Sequence, residues 1–569
     1  MARGVSMRAL ISLVLVLVLV LGVITYERAW ANSREIIQEP RALLESNEPT
    51  TPGHLAVYFV EDNQSPVTRI ITPSIVPNAQ PLICDNNMIV EKAKVHFTFS
   101  NFTSECRYLG SDRWQIPGPQ DVNPRESFIA AVISGIGNCA VTPESTCIAS
   151  IEVTKKDKSV LKLSPVRPIH DHYRALPSTY DGETKTGYPG GDSPWIWKAT
   201  DSDTEYLALG SVLTWYNRPG SKDRRSLNLN LYPVRQTPRV LTQSESLCGG
   251  GVATGSDFSI YCRLGFLDEE KFTVRLRIPN DISGWISGRL FEPAAYVERF
   301  NANYDEIVVT GGPVETIVAG KWIKVDSQLD AYFKNSIWWR GYEGSAKTRG
   351  GNTSWPGALV DIGNQSVKIL NELDAVLGEK ALMNVKTWSI ALSTSNLPEC
   401  SQGKSGIQGL VATNAAVYSS GAPLWDAATQ TLTYEVASPH LRSDSSQPNI
   451  GNYGLTMPES LFKCIYRVER VPQKASVSIS YAGGKDPIVT TVALNSRNEW
   501  VYLSADNFTF SSPVIRVKLM GMAPESQQQY DEKKSVVSSS VKKKTITCVK
   551  GKEKRKIPGK KCPRGFKKA

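Results

Sequence analysis

The chain has 569 residues and a mass of 62.6 kDa, with 41% hydrophobic and 21% charged residues, which excludes a disordered, collagenous or coiled-coil protein. The formal charge of +10 belongs to one end, because residues 533–569 hold 15 Lys and Arg against one acid. Residues 32–532 therefore carry about −6 and lack the basic excess that nucleic-acid binding requires.

The first predicted element is the apolar run Ala9–Ile24, which follows Arg3 and Arg8 and precedes the small residues Ala29 and Ala31. This order is typical of a secretory signal peptide, so residues 1–31 are predicted to be removed after Ala31. The alternative is an uncleaved signal anchor, because the run approaches the roughly 17 residues that can span a bilayer. No other run comes close, which excludes a multi-spanning transporter or channel.

The main part of the chain reads as strands. After a lead at residues 32–51 that is predicted to be flexible, short alternating or β-branched runs are separated by Gly, Pro, Asn and Asp. In Leu227–Tyr232 and Phe272–Ile278 polar residues recur at every second position, which is typical of a sheet with one face in water. We predict a mainly β, multi-domain, antiparallel β-sandwich-like fold, because helical repeats between the strands are missing.

One segment has helical periodicity and predicts an amphipathic helix at about residues 364–377. Asn364 or Ser366 can cap it and Gly378 can end it. Its apolar positions are Ile369, Leu370, Leu373, Val376 and Leu377. The predicted units are β domains at 52–180 and 181–345 that can be continuous, a helix-containing connector at 346–390, a β domain at 391–523, a linker at 524–540 and a basic cysteine-containing module at 541–569.

An even number of cysteines, ten, in an exported chain predicts disulfide bonds. Pairing sequence neighbours gives Cys84–Cys106, Cys139–Cys147, Cys248–Cys262, Cys400–Cys464 and Cys548–Cys562. Sequence alone leaves this connectivity open.

The C-terminal module is predicted to contain a strand at Thr545–Lys550, a turn at Gly551 and a returning strand at Lys554–Ile557. Such a small unit needs a cross-link for stability. Its cations suit an anionic cell-wall or envelope polymer, and the alternative is a solvated tail that aids solubility. The residues expected to contact the polymer are Lys542, Lys543, Lys544, Lys550, Lys552, Lys554, Arg555, Lys556, Lys560, Lys561, Arg564, Lys567 and Lys568.

Thr545–Lys552 and Lys561–Lys568 resemble a C-terminal motif of exported actinobacterial proteins. Gly284–Leu290, Ala437–His440 and Trp500–Ser504 are also similar to segments of that group, so the resemblance extends over the later half of the chain. It implies a secreted or cell-surface location in a bacterium. It implies no activity.

Two polar patterns could bind a metal. Two histidines flank an aspartate on one extended segment, and three carboxylates alternate as at the start of a calcium loop that lacks its glycine and its later glutamate. The residues are His170, His172, Asp201, Asp203 and Glu205. We expect no cofactor, with calcium or zinc at these positions as the alternative.

Two tryptophan pairs, Trp195 with Trp197 and Trp338 with Trp339, can either contact carbohydrate or pack inside the protein. Trp195 and Trp197 share one face if their segment is a strand. The exposure of that face decides between the two roles.

The sequence contains no Gly-x-Ser-x-Gly motif, and Gly250–Gly255 lacks the lysine of a phosphate-binding loop. We therefore expect a secreted or envelope-associated binding or structural protein rather than an enzyme. The alternatives are an extracellular hydrolase of polysaccharide or peptidoglycan and a membrane-anchored ectodomain.

Overall fold

The computed structural model describes, with short gaps, residues 34–47, 54–60, 128–168, 194–238, 252–331, 357–393 and 399–519, together with short strands within 83–115 and 545–568. The described chain is mainly β, as predicted, and most strand pairs are antiparallel. None of its helices is long and apolar enough to cross a membrane. The run Ala9–Ile24 lies outside this part of the chain.

The helices are α1 (Pro40–Glu45), α2 (Asn364–Leu377) and α3 (Glu459–Tyr466), with a 3-10 turn at Glu399–Ser401. The strands up to residue 168 are β1 (His54–Val60), β2 (Ile83–Asp85), β3 (Met88–Val90), β4 (His96–Thr98), β5 (Arg107–Gly110), β6 (Arg113–Gln115), β7 (Phe128–Gly135), β8 (Gly137–Asn138), β9 (Cys147–Lys155) and β10 (Val160–Pro168). Those up to residue 360 are β11 (Trp195–Lys198), β12 (Glu205–Asn217), β13 (Arg224–Pro238), β14 (Val252–Ala253), β15 (Ser259–Arg263), β16 (Glu269–Pro279), β17 (Ser283–Arg289), β18 (Phe291–Arg299), β19 (Tyr304–Gly312), β20 (Val314–Val318), β21 (Gly320–Lys324) and β22 (Gly357–Val360). The remaining strands are β23 (Met383–Thr387), β24 (Ser389–Ser393), β25 (Gly406–Thr413), β26 (Val417–Tyr418), β27 (Leu424–Asp426), β28 (Thr431–Ala437), β29 (Ile450–Pro458), β30 (Lys474–Tyr481), β31 (Ile488–Arg497), β32 (Trp500–Thr509), β33 (Pro513–Leu519), β34 (Thr545–Lys550), β35 (Glu553–Pro558) and β36 (Lys567–Lys568).

A long sheet runs in the order β7-β12-β13-β24-β17-β25-β29-β32-β31, in which the β17–β25 pair is parallel. A second sheet has the order β10-β9-β16-β19-β18. Strand pairing crosses the predicted domain boundaries, because β9 pairs with β16 and β17 pairs with β25. The predicted units therefore share sheets.

Two apolar cores lie on opposite faces of the shared strands. Ile286 of β17 and Leu410 of β25 belong to the first core, which also receives residues of β9, β12 and β16. Their chain neighbours Trp285 and Val411 belong to the second core, formed mainly by β28, β29, β32, α2 and α3. Because both faces of these two strands are covered, almost all of their residues are buried.

The strand at Phe272–Ile278 forms as its alternation predicts. Phe272, Val274 and Ile278 are buried in the first core. The intervening Arg275 and Arg277 form ion pairs on the outer face. This arrangement confirms the predicted sheet with one wet face.

Helix α2 has the predicted bounds, and its apolar residues Ile369, Leu370 and Leu373 are buried in the second core. Gly378 ends it in the left-handed region, with φ +77°, and its amide donates to the carbonyl of Asp374 at 2.8 Å. A side chain is disfavoured at this φ, which explains why a glycine ends the helix.

Two of the predicted disulfides are present, Cys139–Cys147 and Cys400–Cys464. Cys262 is also disulfide-bonded, and its predicted partner Cys248 lies outside the described residues. The predicted pairs Cys84–Cys106 and Cys548–Cys562 involve side chains that the structure does not describe.

Where the structure describes the lead at residues 32–51, which is predicted to be flexible, the lead contacts the sheets. Ile36 forms an isolated bridge with Leu264, and Trp322 donates its indole N–H to the carbonyl of Leu44 at 2.8 Å. The polar composition of this segment does not reveal these partners, which lie more than 200 residues away along the chain.

Candidate functional site

Near the C-terminus the structure describes a three-stranded sheet with the order β35-β34-β36. The β34–β35 hairpin has the two strands predicted from the sequence, and β36 adds to the other edge of β34. Neighbouring strands lie about 4.8 Å apart, so the three strands span roughly 10 Å. The basic residues in these strands are Lys550, Lys554, Arg555, Lys556, Lys567 and Lys568.

The register pairs several of these basic residues across the three strands. Cys548 pairs with Arg555 on one side and Lys568 on the other. Val549, the next residue, pairs with Lys554 and Lys567 in the same way.

The other cations predicted to contact the polymer lie outside the described residues. They are Lys542, Lys543, Lys544, Lys552, Lys560, Lys561 and Arg564.

The predicted metal ligands are not brought together in the described chain. Within that part, no group of three or more His, Cys, Asp or Glu side chains could hold a metal ion. His170, His172 and Asp201 are not described, and Asp203 is exposed near Lys198.

Glu205 has a structural partner instead of a metal. Both of its carboxylate oxygens accept hydrogen bonds from Arg167, at 2.8 and 2.7 Å. The bond to Glu205 raises the pKa of Arg167 above its ordinary value, although burial opposes this. Arg167 also lies 5.7 Å from the ring centre of Tyr261. This ion pair joins β10 to β12.

Trp197 is buried in the first core and 1% exposed, so the prediction that it contacts carbohydrate is wrong. Trp195 is half-buried against the same core. Ile196 between them is also buried, which means that both faces of β11 are covered. Trp338 and Trp339 lie outside the described residues.

A polar ledge that the sequence did not reveal lies on the outer face of β32. Tyr502, Ser504 and Asp506 are half-buried, whereas the alternating Leu503 and Ala505 are buried in the second core. The alternation was visible in the sequence, but the partner elements that half-cover this face were not.

Asp506 and Tyr502, both on the ledge, have pKa values above their ordinary values. The pKa of Asp506 lies above its ordinary value, mainly because the carboxyl group is buried. The hydrogen bond of 3.3 Å from Asn452 lowers this pKa, and the Glu292 carboxylate raises it. Burial also raises the pKa of Tyr502, which interacts electrostatically with Arg497 and Tyr296.

The contact of β18 with β29 brings Glu292 near this ledge. A Cβ on Gly454 would lie 2.4 Å from the Pro293 ring, so only glycine permits this approach. Glu292 adopts φ +46° beside a bulge and forms an ion pair with Lys271 at 2.8 Å. Carboxyl, amide, hydroxyl and tyrosine groups thus lie together, a set that can hydrogen-bond to sugar hydroxyls.

The chain matches no protein-family model, and the comparison with curated proteins also gives no match.

Proposed function

We propose that the protein is an exported bacterial protein of the cell envelope with a binding or structural role, in which the C-terminal sheet contacts an anionic polymer. The two disulfides support an oxidising location outside the cytoplasm. The resemblance of the C-terminal motif to exported actinobacterial proteins supports the same location. The proposed architecture is sandwich-like, because the first core receives side chains from both the β9-β16-β19 and the β12-β13-β24 groups of strands.

The observation that carries this function is the grouping of six cations on β34, β35 and β36. Each Lys or Arg near an anionic surface contributes about 1 kcal/mol of attraction, and the effect weakens within a Debye length as salt rises. Six such groups on one small sheet therefore give salt-dependent binding to an anionic polymer. The body, residues 32–532, carries a net charge of about −6 and is repelled by such a polymer.

The test is co-sedimentation of the mature chain with immobilised poly(glycerol phosphate) across a salt series. Replacing the six sheet cations with Gln should weaken binding at low salt by at least about tenfold and flatten the salt dependence. Equal binding by this variant would show that the sheet is not the contact surface.

The matched control removes the same number of charges from exposed positions of the body, with Gln at Lys156, Lys162, Arg235, Lys321, Lys324 and Lys380. Binding by this variant should weaken much less than binding by the sheet variant. A comparable loss in both variants would point to net charge alone.

A second candidate, contact with polysaccharide or its hydrolysis, is favoured by the polar ledge. Burial and the nearby Glu292 charge raise the pKa of Asp506, and a raised carboxyl pKa suits the acid role in glycoside hydrolysis. We expect Asp506→Asn to abolish binding or cleavage of peptidoglycan glycan strands, and the exposed Asp203→Asn to leave both unchanged. Full retention by the Asp506 variant would refute this role.

A further inference from the structure

The first residues of the described chain pair with the last residue of β15 and the residue that follows it. Ile36 bridges Leu264, and the amide of Ile37 donates to the carbonyl of Arg263 at 2.9 Å. Arg34 extends from this short pairing into a pocket, where 9% of its side chain remains exposed.

The pocket is centred on Glu269, whose side chain is fully buried. Oε1 accepts hydrogen bonds from Arg34 at 2.6 Å and from the Tyr206 hydroxyl at 2.7 Å. Oε2 accepts a hydrogen bond from the amide of Leu267 at 2.8 Å. Tyr206 and Leu267 belong to the body and hold the carboxylate in place, so the pocket is oriented independently of Arg34.

The remaining acceptors match a guanidinium. Arg34 donates from Nη1 to the carbonyl of Gly265 at 3.0 Å and from Nη2 to the Thr204 hydroxyl at 3.4 Å. A planar fork with several N–H groups reaches these acceptors together with Glu269, whereas a lysine ammonium is a single point charge. The pocket therefore selects arginine over lysine.

The other end of the segment is held separately. Leu44 of α1 is 3% exposed in a small core cluster with Ala56, Tyr58, Val318 and Val385. The two large cores contain no residue from 34 to 47 among the described residues. Loss of the segment therefore removes nothing from either large core.

We propose that residues 34–47 form a latch whose seat is an arginine-binding site, occupied by Arg34 of the same chain. The end of the latch that contains Arg34 and Ile37 detaches and reseats while the sheets stay folded. The seat consists of Thr204, Tyr206, Gly265, Leu267 and Glu269. Without Arg34, the seat contains a buried carboxylate that has lost its cationic partner, and a free guanidinium ion binds there in place of the Arg34 side chain.

The test measures hydrogen exchange of the Ile37 amide in the chain that begins at Asn32. In Arg34→Ala this amide should exchange at least about tenfold faster, because local opening no longer breaks a buried ion pair. Amides of β16 in the first core should keep their wild-type rates. An unchanged Ile37 rate would overturn the proposal, as would equal acceleration in β16.

Chemical rescue tests the selectivity of the seat. Millimolar N-ethylguanidinium should slow Ile37 exchange in Arg34→Ala, and ethylammonium should not. The effect should disappear in the Arg34→Ala, Glu269→Gln double variant, which is the control for general effects of the ion. Equal rescue by both ions, or rescue that persists in the double variant, would overturn the assignment.

If Arg34→Ala fails to fold, Arg34→Lys provides the same comparison, because it keeps the charge and loses the fork. Its Ile37 amide should still exchange faster than that of the wild type, and a wild-type rate would contradict arginine selectivity. The dimer fraction is measured in parallel. A dimer in which a second copy supplies Arg34 would overturn the assignment to the same chain.

Discussion

Gly409 and Trp285 lie directly opposite each other in the parallel pair of β17 and β25, and the indole covers the glycine. A Cβ on Gly409 would lie 2.5 Å from Cη2 of Trp285. The indole is completely buried and has little space to move.

Gly409→Ala should therefore destabilise the protein by about 1–3 kcal/mol, the usual cost of overpacking a tight core. Chemical unfolding followed by tryptophan fluorescence measures this loss. Adding Trp285→Phe creates space beside the new methyl group, so the double variant should be more stable than the sum of the two single effects predicts. Simple additivity would contradict the contact.

Arg289 should be essential for the second core through its bonds to backbone carbonyls. It is completely buried and donates to the carbonyls of Thr413, Ala415 and Ala416, and its guanidinium lies 4.5 Å from the ring centre of Tyr418. Arg289→Met leaves these carbonyls without their donors, so we expect a loss on the order of 3 kcal/mol in the free energy of unfolding.

The control for this variant is Lys368→Met, because the Lys368 side chain is 74% exposed and its ion pair with Glu372 lies at the surface. Its effect should stay below about 1 kcal/mol. Similar losses at the two positions would show that Arg289 has no special role.

Acid should weaken the attachment of the N-terminal segment. Burial alone raises the pKa of Glu269, but its bonds with Arg34 and Tyr206 more than offset this, and the pKa falls below the ordinary value of 4.5. A carboxyl group whose pKa is lower in the folded than in the unfolded state stabilises the fold at any pH above its unfolded-state pKa. This contribution is lost as the pH falls through the folded-state pKa.

Melting temperatures between pH 7 and pH 3 test this sign. The melting temperature of the wild type should fall below about pH 4.5. Glu269→Gln should have a lower melting temperature at pH 7 and a shallower decline with acid. Parallel curves for the two proteins would exclude Glu269 as a source of the acid sensitivity.

The two described disulfides should contribute unequally. Cys400–Cys464 has a sequence separation of 64 and Cys139–Cys147 a separation of 8. In the chain-entropy account, the longer loop corresponds to about 4 kcal/mol and the shorter to about 2.5 kcal/mol. Replacing each pair with Ala and comparing the unfolding free energies tests the order, and a larger loss at the short loop would reverse it.

Features encoded within a few residues could be predicted from the sequence. The bounds of α2 follow from helical spacing and from Gly378, and Cys139 pairs with a cysteine only eight positions away. The alternation in β16 likewise indicated its wet face.

Features that depend on distant partners could not be predicted. Arg34 reads as an ordinary polar residue until a carboxylate 235 positions away is placed beside it. Trp197 faces the core only because other strands cover β11. The ledge at Asp506 requires β18 to pack against β29, and no local pattern encodes this contact.

The position of β24 between β13 and β17 determines when the long sheet can be completed. Both neighbours precede β24 in the chain, and the ribosome makes it only after six further strands have followed β17. Until then, β13 and β17 each present an open edge with unpaired backbone groups, which is a template for aggregation. Shielding of these edges, by a chaperone or by keeping the chain extended during synthesis, is therefore a requirement that this topology places on the producing cell.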